Sequence, residues 1–89
     1  MKVLGYEVPQ HVLDGAFCFM RREPFSSAML QGTIERLIPS TTKGDNGANY
    51  REIAMRTADR LVQTEKKAGR LVKDKKFYGT QFWTVKEPT

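Results

Sequence analysis

Apolar side chains recur along these 89 residues at two different spacings, and the change between them divides the chain. Val12, Leu13, Ala16, Phe17 and Met20 follow the three-and-four spacing of one helical face. Pro9 suits a first helical turn, where its missing N–H would be unpaired anyway. A first helix is therefore predicted over 9–22, ending where Glu23 is pushed toward extended geometry by Pro24. Leu30, Ile34, Leu37 and Ile38 mark a second helix over 26–38, stopped by Pro39. Ser26 is its N-cap, and Phe25 with Leu30 forms a hydrophobic staple across its start. Residues 39–49, PSTTKGDNGAN, are turn formers without periodicity and read as a loop.

A third helix is predicted over 50–68, opened by Asn49 with Glu52 three residues on. Ala54, Ala58, Leu61, Val62 and Ala68 supply its inward face. Gly69 is its left-handed terminator, and Lys66 and Lys67 suit the negative end of the helix dipole. After Gly69 the period falls to two. RLVKD and QFWTVK are short and rich in Val, Phe, Trp and Thr, which predicts an antiparallel hairpin over 70–86. Lys75, Lys76, Phe77 and Tyr78 fall near its tip. Trp83 and Val85 share a face, with Trp83 expected to anchor the hairpin against the third helix. The prediction is one α+β domain over 1–89, mostly α: three helices and then a β-hairpin. Segment 1–8 suits an edge strand or an oligomer contact, and its sequence does not choose.

Composition fits an ordered domain: 39% of residues are hydrophobic and 28% charged. The one cysteine, Cys18, has no partner for an internal disulfide or a thiolate zinc site, and its neighbours Phe17 and Phe19 suggest a buried, inert thiol. The start MKVLGYEVP meets Glu7 and Pro9 before a signal-peptide core could form, and Gly15 to Met20 is too short an apolar run for a membrane span. A cytoplasmic location without membrane attachment is expected.

The net charge of +5 is unevenly placed. The first 49 residues carry five basic and five acidic side chains, whereas the last 40 carry ten basic and five acidic. One-sided positive charge suits a phosphate-facing surface, because each neutralised phosphate releases counterions. It also suits a merely solvated surface. Little else suggests chemistry. His11, the only histidine, sits at a helix start and two helical turns from Cys18. No glycine-rich phosphate loop, paired carboxylates or metal-ligand spacing stands out. Neither an enzyme nor a cofactor or metal is expected.

Three helices followed by a basic hairpin is the layout of a winged helix-turn-helix domain. The stretch RTADRLVQTEKKAGRLVKDKKFYGTQFW, residues 56–83, resembles winged-helix proteins common in bacteriophage and prophage genomes: A-D-R-L-V-Q in the recognition helix, K-A-G, a basic strand and a terminal W-T-V. The resemblance covers about the C-terminal half. The chain departs from the pattern in the 39–49 connection, which is longer than the usual tight turn.

The resemblance implies sequence-specific binding of double-stranded DNA, as in a transcriptional or phage-related regulator, with the third helix in the major groove. Arg56, Arg60, Gln63 and Lys67, spaced by four, three and four, line one stripe opposite the inward residues. Arg can pair with a guanine edge and Gln with adenine. Tyr50 and Arg51 in the first turn are within reach of phosphate or base, and Asp59 lies where it can orient an arginine or weaken phosphate contact. From 66 to 76 stand Lys66, Lys67, Arg70, Lys73, Lys75 and Lys76 against Asp74 alone, suited to the backbone or the minor groove. Phe77 and Tyr78 are expected to close the turn by packing, with stacking on unpaired bases the alternative. Replacing Arg56 and Arg60 together by Ala should abolish specific binding.

The rival expectation is a protein-interaction module, for example a small phage protein whose basic face docks onto acidic host machinery. Pairing of two chains would accompany a palindromic target, although no heptad repeat is present.

Overall fold

The computed structural model describes residues 1–86. A short ribbon comes first, β1 (Lys2–Val3) antiparallel to β2 (Tyr6–Glu7), and then the helices α1 (Gln10–Arg22), α2 (Ser27–Leu37) and α3 (Tyr50–Lys67). The chain ends in an antiparallel hairpin of β3 (Leu71–Phe77) and β4 (Thr80–Val85). This is the α+β order expected from the periodicity. The ribbon resolves the open reading of segment 1–8: it pairs with itself, turning through Leu4 and Gly5 at positive φ. Among the described residues no helix is long and apolar enough to cross a membrane.

Local chemistry sets the helix ends. Pro9 is the N-cap of α1 rather than part of its first turn; its carbonyl accepts from the amides of Val12 and Leu13. The Ser26 hydroxyl accepts from the Met29 amide at 3.3 Å, and the Asn49 side chain accepts from the Glu52 amide at 3.0 Å. At the far end of α3, Gly69 takes φ +75°. Its amide donates to Lys66 O, and the Arg70 amide donates to Glu65 O, which together close a Schellman turn. Because α3 ends at Lys67, Ala68 stands at the cap and is exposed instead of facing inward.

One cluster of buried side chains joins all three helices: Val12, Ala16 and Met20 of α1, Leu30 and Ile34 of α2, and Ile53, Ala54, Ala58 and Leu61 of α3. Phe25, between α1 and α2, is the largest fully buried side chain. It also does a backbone job that periodicity does not reveal. The Phe25 amide donates to Trp83 O at 2.9 Å, and the Trp83 amide donates to Phe25 O at 2.8 Å. Trp83 thus anchors the hairpin to the α1–α2 junction, not to α3 as expected. The hairpin is moored at its root and free beyond it, for Val72 through Thr80 are exposed.

Loop 39–49 has structure of its own. Lys43 and Asn49 pair across it, Asp45–Gly47 forms one 3₁₀ turn, and the Asp45 amide donates to Leu4 O at 2.6 Å. The N-terminal ribbon therefore holds the loop directly ahead of α3. Cys18, expected in the core, is exposed on the outer face of α1. The core face runs through Val12, Ala16 and Met20, and Cys18 lies two residues from the last two of these, on the other side of the helix.

Candidate nucleic-acid interface

Helix α3 presents two chemically opposite faces. Ile53, Ala54, Thr57, Ala58, Leu61 and Val62 are buried, while Arg56, Arg60, Gln63 and Lys67 are exposed. Thr57 lies in the apolar face at no cost in unpaired polarity, because its hydroxyl donates to Ile53 O at 2.7 Å. The exposed stripe runs from Arg56 to Lys67, about 16 Å at the helical rise per residue.

Each sequence-predicted side chain now has a setting. Arg56 and Asp59 line shallow recesses beside α3, one shared with Arg60, Val3 and Leu4. Arg60 is tethered: its guanidinium donates to the Lys2 carbonyl at 2.8 Å, fastening the N-terminal ribbon to the middle of the helix. That contact joins residues 58 apart and leaves no trace in the local pattern. Tyr50 is half-buried against the core, and Arg51 lies over its ring, donating to the Tyr50 hydroxyl at 3.2 Å. This hydrogen bond, with the nearby charge of Glu35 as a lesser cause, raises the Arg51 guanidinium above its ordinary pKa. Asp59 makes no ion pair with Arg56 or Arg60 among the described residues, so it lowers the local positive field without clamping either arginine.

The hairpin adds the second part. Lys73, Lys75 and Lys76 are all exposed along β3. Lys73 faces Trp83 across the ladder and Lys76 faces Gln81, with a register irregularity between them. Such a bulge bends and twists a strand locally. Phe77 and Tyr78 pack on each other at the turn, edge-to-face with ring centroids 4.6 Å apart, and both remain largely in solvent rather than against the core.

Glu65, which periodicity did not single out, fixes the hairpin relative to α3. Its carboxylate is buried and receives two hydrogen bonds from Arg70, at 2.6 and 3.2 Å. The Arg70 guanidinium is held above its ordinary pKa chiefly by this bond. Among the described residues the only ion pairs are this one and the N-terminal amine with Glu7. Arg56, Lys66, Lys67, Lys73, Lys75 and Lys76 therefore have no carboxylate partner there. A row of uncompensated cations on a helix and an adjoining ribbon is suited to receiving a polyanion.

No protein-family model matches the chain, and neither a curated protein nor a solved structure does.

Proposed function

We propose that this chain binds double-stranded DNA as a winged helix-turn-helix domain, with α3 in the major groove and the β3–β4 hairpin as a wing along the phosphate backbone. One observation carries the reading: the solvent face of α3 offers Arg56, Arg60, Gln63 and Lys67 in one row, and its opposite face is wholly committed to the core. An α-helix is the element that fits a major groove about 12 Å wide, and Arg and Gln are the side chains that read purine edges there in pairs of hydrogen bonds. The mooring of Trp83 on Phe25 supports it, since it fixes a basic ribbon to the same body as the helix. A transcriptional or phage-related regulatory role follows from this reading as its natural biological use.

The test is selection of bound sequences from a randomised duplex library at low and moderate salt, followed by variants. Arg60 also holds the N-terminal ribbon, so losing it mixes structure with recognition. The cleaner pair is Arg56→Ala with Gln63→Ala, both exposed. The wild type should enrich a defined motif that persists at moderate salt. The double variant should keep its melting temperature and lose about tenfold or more in affinity for that motif. Binding without an enriched motif, alongside tight capture of an acidic protein surface, would transfer the basic face to protein docking.

A further inference from the structure

The turn at the end of the hairpin is built from a residue that does not favour it. Tyr78 and Gly79 take φ of 48° and 80° between paired Phe77 and Thr80. This mirror-image turn suits the twist of the strands, and its first position is ordinarily Asn, Asp or Gly, because a bulky side chain is crowded at positive φ. Tyr gains nothing in return from the core: its side chain is 94% exposed, and that of Phe77 53%. Its aromatic neighbour is Phe77, itself half in solvent, and strained backbone kept without a reward from the core concentrates at sites of function.

The surroundings say what kind of ligand fits. Lys73, Lys75 and Lys76 lead up to the two rings, with Asp74 the only acid among them. The turn begins at Thr80, about 10 Å beyond the Trp83 anchor at the strand rise per residue, clear of the core. Flat rings at the end of a positively charged ribbon match a base flanked by phosphates. Within an intact duplex the base faces are covered by their neighbours. They are presented where a base is unpaired.

We propose that the ring of Tyr78 at the hairpin tip stacks on a base freed at an unpaired position, with Phe77 held edge-to-face beside it as its support, in DNA that the rest of the domain holds as duplex. This rests on the duplex-binding reading above and adds to it a preference for DNA carrying a bulged base.

Fluorescence anisotropy tests it with two DNAs of the same sequence, one fully paired and one with a single extra 2-aminopurine in mid-duplex. The wild type should bind the bulged DNA about tenfold more tightly, with a change in 2-aminopurine emission on binding. Tyr78→Asn suits the turn, so its melting temperature should not fall. It should hold the paired duplex like the wild type and lose most of the preference, whereas Tyr78→Phe retains it. Equal wild-type affinity for both DNAs overturns the tip proposal alone. A preference that survives the double variant Phe77→Thr with Tyr78→Asn also overturns it. Failure to bind either DNA at low salt removes the duplex-binding reading, and the tip proposal with it.

Discussion

Phe25 shows how much one side chain can decide. Its ring is fully buried among the three helices, and its backbone holds the hairpin through two hydrogen bonds to Trp83. Replacing it by Ala should cost about 3–5 kcal/mol in chemical unfolding, because the cavity is bounded by helices that cannot close on it independently. A loss under about 1 kcal/mol would mean that the junction repacks. Capping residues act on a smaller scale. Ser26, Asn49 and Gly69 were each legible in the sequence, since a cap needs only its own side chain or φ and the next few amides. Gly69→Ala should lower stability by about 1 kcal/mol, because φ +75° is unfavourable for a residue with a Cβ. Glu65 was not legible. A carboxylate is tolerated on the inward face because Arg70, past the helix end, turns back to meet it, and that turn is a property of the Schellman geometry.

Among the elements, α3 and the N-terminal ribbon are coupled. The ribbon reaches the middle of the helix through Arg60 and reaches the preceding loop through Asp45, so it braces both α3 and the loop that leads into it. Gly44 lies where a Cβ would collide with the Leu4 carbonyl. Gly44→Ala should therefore push the ribbon away, and hydrogen exchange at the Asp45 amide should accelerate while the amides of α1 keep their protection. Unchanged exchange at Asp45 would show that the ribbon yields without letting go. Two exposed acids lie on the presented side of α3, Glu52 in its first turn and Asp59 between the arginines, and Asp59 is unpaired with either neighbouring arginine. Asp59→Asn should tighten duplex binding about two- to threefold at roughly 0.1 M salt, an effect that shrinks as salt screens it. Weaker binding would instead reveal that Asp59 orients an arginine once DNA is present. The stripe itself was readable because a helix repeats every 3.6 residues, so exposure at 56, 60, 63 and 67 follows once the buried set is known.

For the whole molecule, the charge excess is confined to the last 40 residues, and the fold divides it between α3 and the hairpin. If the two surfaces together neutralise about four phosphates, the logarithm of the binding constant should fall with the logarithm of salt concentration at a slope near −3.6. Combining Lys73→Ala, Lys75→Ala and Lys76→Ala should make that slope shallower by up to about 2.7 while leaving the selected motif unchanged. A slope that the triple variant does not alter would mean that the hairpin lies off the DNA. The sequence by itself determined the order of the three helices and the hairpin, their outer bounds to within about a residue, and the basic stripe that α3 shows to solvent, because these depend on interactions within a turn or two of chain; it left the N-terminal ribbon open. Only the tertiary structure decided that Trp83 fastens to Phe25, that Arg60 holds the N-terminal ribbon, that loop 39–49 is braced, and that Phe77 and Tyr78 stand in solvent. Those outcomes depend on which surfaces meet across tens of residues, and neither local periodicity nor composition encodes such a meeting.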